Sequence, residues 1–462
     1  MKKILTLLLA LWMLTGCVAM AAGNQLVVGS TTAMSGAFFT DLFGSNTADI
    51  DVRALLHGYN LMSWDNETGT YQINDSVVAG MAVSRDAQNN RVYTFDLYGD
   101  LKFSDGSAIT AKDYAFSILL TASPELAKLG GQSAAVGAIL GMDAYQSGKS
   151  SVLRGVRLLS DTQMSITISK AYEPYFYEMA LFDYSPYPIS VLAPGCNVVD
   201  TEKGVGIVNA GGTGNAIFTA ALLQKTILDA ATGYMGHPSV VSGPYTLTSY
   251  DAQRGTASFA INPYYKGNED GEKPTIETIV YRTVANDEAI DLLLSGEVDL
   301  LNKMVAADTI SKGIQSTADQ PFSVANYPRS GLSMISFSCE RQTVSGKAVR
   351  QAIASCFDRD ALVKAYTGNF GLKANGYFGI GQWMYQLAAG TIQPPVVDLP
   401  ANATAKETAA YEKTVAQWDA LSLDKLKDYP LDLDQAAKLL DQDEWRIGKD
   451  GIRAKKIDGK TV

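Results

Sequence analysis

The amino-acid sequence predicts an α/β fold that is divided into more than one domain. Segments with the alternating pattern of β-strands are interleaved along the chain with segments that repeat like α-helices. The length of 462 residues corresponds to about three domains at roughly 150 residues each. Apolar residues make up 47% of the chain and charged residues 19%, a composition typical of globular proteins rather than of disordered ones.

Short apolar or alternating runs predict the strands. The run at 26–29 indicates a buried strand that leads into a small, polar loop. Alternation predicts further strands at 92–97, 165–169 and 245–250, and the apolar run at 332–339 is also typical of a strand.

Periodic apolar residues and capping signals predict the helices. Apolar periodicity predicts helices at 54–62 and at 288–294. Thr110 is a typical N-cap, because Asp113 follows three residues later and an apolar run comes behind it.

Two segments differ from the rest in composition. Residues 204–214 hold five glycines, and residues 391–430 combine Pro, Ala, Lys and Glu around a predicted helix at 406–426. Both are interpreted as surface excursions.

The charge and the histidine content exclude several classes of function. Lysine and arginine number 38 against 48 acidic residues, so the net charge is −10. This sign argues against a nucleic-acid binder, which needs a basic surface for phosphate contacts, and against adhesion to anionic membranes. The chain has only two histidines, His57 and His237, which leaves almost no ligands or bases for a His-rich zinc site or a His-based triad.

The motifs that usually mark enzymes are incomplete. Residues 146–150 contain a GKS triplet, but Asp143 stands where a phosphate-binding loop needs its first glycine. Residues 131–135 begin like a nucleophile elbow and lack its closing glycine. Asp49 and Asp51 are two residues apart and do not face each other on a helix, so a solvated face is expected rather than a carboxylate dyad. The sequence predicts no catalysis, no cofactor and no metal.

The N-terminus has the layout of an export signal. Lys2 and Lys3 precede the apolar stretch 4–14, as in a secretory signal of about 15–30 residues. The tetrapeptide Leu-Thr-Gly-Cys ending at Cys17 resembles a bacterial lipobox, whose cysteine is lipidated. Two alternatives stay open: cleavage after the A-x-A pattern at 19–21, and retention of the apolar stretch as an anchor. All three place the body of the protein outside the cytoplasm.

Three further cysteines, Cys196, Cys339 and Cys356, permit at most one disulfide among themselves. Because buried cysteine behaves as a small hydrophobic residue, we expect three free thiols in the core.

Four groups of motifs carry a resemblance to a known family. In chain order they are 93–97 with 101–106 and 109–113; 143–149 with 155–157; 242–245 with 262–265 and 294–299; and 349–353 with 358–360 and 374–376. Together they resemble the family 5 extracellular solute-binding proteins of ABC importers, in the oligopeptide- and dipeptide-binding group. Tyr98 departs from the pattern, since the family usually has a basic residue there.

The resemblance implies a bilobed, periplasmic-binding-protein-like α/β clamp of type II, with an extra domain. A hinge and a cleft that buries an extended peptide are implied with it, and backbone groups would recognise the peptide main chain. The implied domains are a lipoprotein signal peptide at 1–16, domain I at 17–60 and 186–285, domain II at 61–185, and an incomplete domain III at 286–462.

The family's cleft-lining segments correspond here by motif order. The implied ligand-binding residues are Gly44, Ser45, Asn46, Thr47, Asn302, Arg329, Ser330 and Gly331. Each also has an ordinary interpretation as a polar loop residue, and Arg329 as a surface ion pair rather than a ligand for a carboxylate.

The similarity ends inside domain III. In the family a further strand begins where this chain reaches Val462, and the acidic residue that binds the ligand's N-terminal amine usually lies in that later part. We therefore expect a truncated chain whose ligand site, taken alone, is weakened or absent.

The resulting hypothesis is a monomeric, lipid-anchored, extracytoplasmic protein that captures oligopeptides for the permease of an ABC importer. Other solutes stay open: an oligosaccharide, because 23 tyrosines could stack on sugars, or a nickel chelate, although two histidines are few ligands for nickel. A peptide-sensing receptor and an anchored hydrolase are the alternatives from other classes.

Overall fold

The structure is a computed structural model of the chain, and it describes residues 24–44, 46–65, 70–132, 137–173, 175, 177–212, 214–317, 321–327, 332–368, 370–392, 399 and 403–462. The chain forms two compact units, of which unit 1 ends at Met304 and unit 2 begins at Val305. Within the described ranges, no helix is both long and apolar enough to cross a lipid bilayer.

Unit 1 contains most of the β-structure. Its elements are β1 (Gln25–Ser30), α1 (Thr47–Leu56), β2 (Met62–Asp65), β3 (Thr70–Ile73), β4 (Val78–Arg85), β5 (Arg91–Leu97), α2 (Ala111–Thr121), α3 (Pro124–Ala127), α4 (Met142–Gln146), β6 (Val152–Leu153), β7 (Val156–Leu158), β8 (Gln163–Ile168), two 3₁₀ turns (Lys170–Tyr172 and Glu178–Phe182), α5 (Ile189–Leu192), β9 (Cys196–Thr201), β10 (Gly204–Asn209), α6 (Ala220–Thr226), β11 (Tyr245–Asp251), β12 (Thr256–Ile261), β13 (Thr278–Thr283), α7 (Ala289–Leu294) and β14 (Leu300–Asn302).

The first sheet of unit 1 has five strands in the order β11, β12, β13, β1, β14. β1 runs parallel to both of its neighbours, β13 and β14, whereas β11, β12 and β13 pair antiparallel. Helix α1 covers this sheet, and Val52 and Leu56 are buried in one cluster with Phe38, Phe259 and Tyr281. The sheet is therefore a mixed α/β layer with its parallel strands at the β14 side.

A second, larger core lies between two antiparallel sheets and the helices of unit 1. The sheets have the strand orders β4, β5, β8, β7 and β6, β10, β9. Helix α2 is buried along nearly its whole length, with Tyr114, Phe116 and Leu119 fully inaccessible. The Thr110–Asp113 capping box that the sequence predicted starts this helix.

Unit 2 is mostly helical. Its elements are α8 (Ala307–Thr317), α9 (Gln342–Ser345), α10 (Lys347–Ala354), α11 (Arg359–Thr367), α12 (Trp383–Ala388), α13 (Ala405–Asp419), α14 (Leu433–Gln442), β15 (Arg446–Ile447), β16 (Arg453–Ala454), β17 (Lys456–Ile457) and β18 (Lys460–Thr461). Helices α10 and α14 pack together and bury Ala352 and Ala436. The four short strands form two separate hairpins, β15–β16 and β17–β18.

Two helix predictions are wrong in extent. The helix expected at 54–62 runs from Thr47 to Leu56, because the side chain of Asn46 caps the amides of Ala48 and Asp49 and starts the helix earlier. The helix expected at 406–426 ends at Asp419.

Two predictions of surface and strand structure are also wrong. The glycine-rich segment predicted as a surface excursion begins with β10, a central strand in which Val205 is fully buried. Gly206 permits this pairing, since a Cβ there would lie 2.9 Å from the carbonyl oxygen of Ser151. The segment 332–339, expected as a strand, is irregular and pairs with no strand within the described residues. Its side chains Met334 and Ile335 are more than half exposed.

The three described cysteines are free thiols, as expected, but their burial differs from the expectation. Cys196 is half-buried, whereas Cys339 and Cys356 are exposed. The expectation that all three lie in the core is therefore wrong for the two in unit 2.

Candidate functional site

The carboxyl ends of the parallel strands β13, β1 and β14 meet at one edge of the first sheet. Ser30, at the end of β1, lies opposite Thr283 on β13 and opposite Asn302 on β14. In open α/β sheets, ligands bind beyond the carboxyl ends of the strands. This edge is therefore the candidate functional site of unit 1.

A carboxylate on α1 joins the polar groups of this edge. Oδ2 of Asp51 accepts hydrogen bonds from the hydroxyl of Tyr281 at 3.0 Å and from Nδ2 of Asn302 at 2.7 Å. Oδ1 of Asp51 forms an ion pair with Nζ of Lys303. Together with Ser30, these four residues are called the polar edge below.

The polar edge is partly open to water. The Asp51 side chain is 19% exposed and the Lys303 side chain 31%. Burial raises the pKa of Tyr281 to about 12; a hydrogen bond with Ser30 opposes this rise, and the charge of Asp51 adds to it. The phenol therefore stays protonated at neutral pH and donates its hydrogen bond to Asp51.

Lys303 has an unusual backbone conformation. Its φ is 56°, in the left-handed region that costs a side-chain-bearing residue roughly 1–2 kcal/mol. Such conformations persist where the surrounding contacts hold them, and they cluster at functional sites. The residue stands directly after β14 and directly before Met304, the last residue of unit 1.

The predicted residues near α1 are engaged in local structure. The Oδ1 atom of Asn46 accepts from the amides of Ala48 and Asp49, both at 3.0 Å, and its Nδ2 donates to the carbonyl oxygen of Ala33 at 2.8 Å. Thr47 Oγ1 lies 3.4 Å from Thr32 Oγ1 in the loop after β1. These contacts join the start of α1 to that loop.

The other predicted site residues fall in different places. Gly44 is exposed, and its φ of 94° is one that glycine adopts readily. Ser45, and in unit 2 Arg329, Ser330 and Gly331, lie outside the described residues. Among the predicted residues, the structure thus places Asn302 in the polar edge and Asn46 and Thr47 at the start of α1, the helix that carries Asp51.

Sequence reasoning missed Asp51, Tyr281 and Lys303. From the sequence, Asp51 is expected only as half of an acid pair on a solvated face. That interpretation is wrong for Asp49, which is fully buried and bonds to the amide and hydroxyl of Ser35. Lys303 could have been noticed, because it follows the predicted residue Asn302 directly.

Among the side chains that the structure describes, no group of three or more His, Cys, Asp or Glu residues could hold a metal ion. The polar edge itself contributes one carboxylate, one ammonium, two hydroxyls and one amide. It therefore offers hydrogen-bond donors and acceptors and one ion pair.

Solved structures similar to this chain share its fold. The lactococcal OppA complexed with an endogenous peptide has a TM-score of 0.61 and 18% identity, and the match covers 95% of this chain and 70% of that one. AppA from Bacillus subtilis in complex with a nonapeptide has a TM-score of 0.55 at 18% identity, over 95% of this chain and 67% of that one. NikZ from Campylobacter jejuni in complex with Ni(L-His) has a TM-score of 0.56 at 15% identity, over 96% and 67%. The predicted periplasmic-binding-protein-like α/β fold class is confirmed.

Curated relatives and a family model agree on the family. The oligopeptide-binding protein OppA of Lactococcus lactis subsp. lactis (strain IL1403) is 25% identical over 400 residues, which are 83% of this chain and 54% of that protein. The periplasmic oligopeptide-binding protein OppA of Escherichia coli (strain K12) is 24% identical over 64% of this chain and 48% of its own length. The chain thus spans about half the length of the curated relatives it matches. Residues 76–461 match the family model described as "Bacterial extracellular solute-binding proteins, family 5 Middle", and the chain belongs to that family.

Proposed function

We propose that this protein captures oligopeptides outside the cytoplasm, as the monomeric solute-binding lipoprotein of an ABC importer, and delivers them to a membrane permease without catalysis. Membership in the family supports solute binding. The relatives named as oligopeptide-binding proteins, and solved structures that hold peptides, support the choice of cargo.

The observation that carries the proposal is the position of Asn302. It ends β14, which is the outermost strand on its side of the sheet among the residues that the structure describes, and its amide belongs to the polar edge. An extended peptide can bind an edge strand through main-chain hydrogen bonds, with little dependence on its side chains. The proposed ligand-binding residues are Gly44, Ser45, Asn46, Thr47, Asn302, Arg329, Ser330 and Gly331.

The anchor is proposed from the N-terminal sequence. Cys17 follows Leu14, Thr15 and Gly16, an arrangement in which a cysteine thiol receives lipid before the signal peptide is removed. The proposed location is the outer face of the cell membrane or the periplasm. Cys17 lies outside the described residues.

One experiment tests both the cargo and the anchor. The full chain is purified from a bacterial envelope in detergent, without denaturation, and analysed by native mass spectrometry. Bound peptides of a few residues would support peptide capture and would contradict the expectation that the ligand site of this chain is weakened or absent. An N-terminal fragment that begins with a lipidated Cys17 would support the anchor. A compact protein without peptide would contradict peptide capture. An unmodified N-terminus at Ala22 would contradict lipidation.

Asn302→Ala sharpens this experiment. The loss of one hydrogen bond, worth about 1 kcal/mol, should weaken peptide binding about fivefold. The matched control is Asn215→Ala, because Asn215 is exposed and lies outside the polar edge. Equal peptide occupancy in the two variants would remove Asn302 from the binding site.

The genomic neighbourhood distinguishes an importer from a sensor. A pair of permease genes beside the gene for this chain favours import. Their absence favours a peptide-sensing receptor, which is the alternative from another class.

A further inference from the structure

Within the polar edge, the positive charge of the Lys303 ammonium group is neutralised by the Asp51 carboxylate. Its Nζ contacts Oδ1 of Asp51, while the hydroxyl of Tyr281 and the amide of Asn302 occupy Oδ2. Both oxygens of the carboxylate are therefore engaged. A charged pair with this many hydrogen bonds is the kind that retains its geometry when it is partly buried.

The remaining groups of the polar edge carry no charge that competes with this pair. Ser30 and Asn302 are neutral, and Tyr281 stays protonated. Other charged residues on the same elements have separate partners. Asp49 bonds to Ser35, and Asp299 accepts from the amide of Val27 at 2.8 Å. Arg282 lies 4.0 Å from Glu297. The formal charge of Asp51 and Lys303 together is thus zero.

This neutrality has a consequence for any ligand at the edge. A free lysine ammonium attracts a carboxylate strongly, whereas a paired one offers little to a second anion. A peptide main chain carries amide dipoles and no charge, so its affinity does not depend on a free cation at the edge. Specificity is a difference between two affinities, and cancelling the lysine charge lowers the affinity for a carboxylate without lowering that for the main chain.

We propose that Asp51 is a specificity-determining residue that masks Lys303, so that the polar edge accepts the uncharged main chain of a peptide and not a carboxylate. This inference rests on the proposed peptide-binding function of the same edge. It assigns Asp51 a role that Asn302 alone does not supply, because only the carboxylate cancels the lysine charge.

Asp51→Asn tests the proposal with two probes. The probes are N-acetyl-tetraalanine with a free C-terminal carboxylate and the same peptide with a C-terminal amide, each titrated by calorimetry. Asparagine keeps the shape and one acceptor oxygen while exposing the charge of Lys303. We expect the affinity ratio of acid to amide to rise about tenfold over wild type, which corresponds to about 1.4 kcal/mol. An unchanged ratio overturns the proposal.

Two further variants separate the local charge from the overall charge. Asp51→Asn combined with Lys303→Met removes the cation again, and the ratio should return to the wild-type value. Asp100→Asn frees Lys266 from its own 2.9 Å ion pair and changes the net charge by the same amount away from the polar edge, so the ratio should not move. A rise with Asp100→Asn would mean that net charge, not masking, sets the preference.

A second arm does not depend on peptide binding. If wild type binds neither probe, masking is decided with sulfate and hydrogen exchange at residues 300–306. The proposed function fails only if native mass spectrometry also shows no bound peptide. Sulfate should slow exchange there in Asp51→Asn and not in wild type or in the double variant. If Asp51→Asn does not fold, Asp51→Ser replaces it in both arms, because serine also removes the carboxylate that pairs with Lys303, and the same rise in the acid-to-amide ratio is expected. No sulfate effect in the folded variant, or no rise in the ratio with Asp51→Ser, overturns the proposal.

Discussion

Units 1 and 2 use apolar side chains in opposite ways. In unit 1, large side chains such as Phe95, Phe116 and Leu119 are completely inaccessible to water. Among the described residues of unit 2, the buried apolar side chains are Ala352, Leu387, Ala436 and Trp445, while Tyr366, Leu372 and Tyr377 are more than 70% exposed. Each fully buried large side chain contributes roughly 1.5–3 kcal/mol, so the internal stability of the two units must differ widely.

The difference shows that regular helices do not make a core. Helix α14 has an N-cap at Asp432, and α13 begins with a capping box between Thr404 and Glu407. Caps satisfy the ends of a helix but bury little apolar surface. The stability of unit 2 therefore depends on local hydrogen bonds and on the packing of α10 against α14. The stability of unit 1 depends on packing between its sheets and helices.

The largest expected effect comes from a matched pair of leucines. Leu119→Ala should destabilise unit 1 by about 3–5 kcal/mol, because it leaves a cavity in a closed core. Leu387→Ala should cost unit 2 only about 2 kcal/mol, the low end for such a change, because Leu387 lines an open groove with Trp418 and Leu421. Urea unfolding followed by hydrogen exchange reports each unit separately. Equal losses would show that the cores of the two units are equally tight.

The next effect concerns acid stability, which we expect mainly in unit 1. Burial lowers the pKa of His57 to about 4; a hydrogen bond with the carbonyl of Phe38 opposes the shift and the nearby charge of Arg53 assists it. The unfolded chain protonates near pH 6.5 and the folded chain near 4, so the unfolded state binds more protons between these values. Stability should therefore fall as the pH drops from 6.5 to 4, by at most about 3 kcal/mol.

His57→Gln tests this difference. At pH 7 the variant should be less stable than wild type, because it lacks the hydrogen bond between the imidazole and the carbonyl of Phe38. Between pH 6.5 and 4 its stability should fall less steeply than that of wild type. Burial raises the pKa of Asp113 to about 6, so that residue gains a proton on folding and acts with the opposite sign. The difference between wild type and variant isolates the histidine. An identical slope in both would remove His57 as the source.

The smallest effect leaves stability unchanged and probes exposure. Cys339 and Cys356 in unit 2 are exposed, whereas burial raises the pKa of the half-buried Cys196 thiol in unit 1. Because the thiolate is the reactive form, a maleimide should label the two exposed cysteines at least about tenfold faster than Cys196. Peptide mapping of short labelling times measures the order. Faster labelling of Cys196 would contradict the contrast between the units.

Structural features that depend on neighbouring residues in the sequence could be predicted. The capping box at Thr110 and Asp113 and the end of α7 at Leu294 appear in the structure where the sequence indicated them. The strand predicted at 92–97 appears as β5, from Arg91 to Leu97. These features depend on local hydrogen bonds and on alternation, which a linear sequence displays directly.

Pairing between distant segments was not predictable in the same way. β10 looks like a glycine-rich loop until β6 and β9 are placed beside it, and the run at 332–339 looks like a strand although no described strand pairs with it. A strand is stabilised by its neighbours, and a single sequence does not state which neighbours it has.

The fold class and the family could be predicted from the sequence, because four ordered motifs and the local periodicity are visible without knowledge of any contact. The same motif order names Asn302 as a ligand-binding residue, which stays a prediction. The tertiary structure was needed to show that Asp51 meets Tyr281 and Lys303, which are 230 and 252 residues away along the chain. It also decided that Asp49 is buried while Asp51 reaches the edge of the sheet. Charges become a site only where packing brings them within a few ångströms, since Coulomb energy depends on distance and on the surrounding dielectric and not on sequence separation.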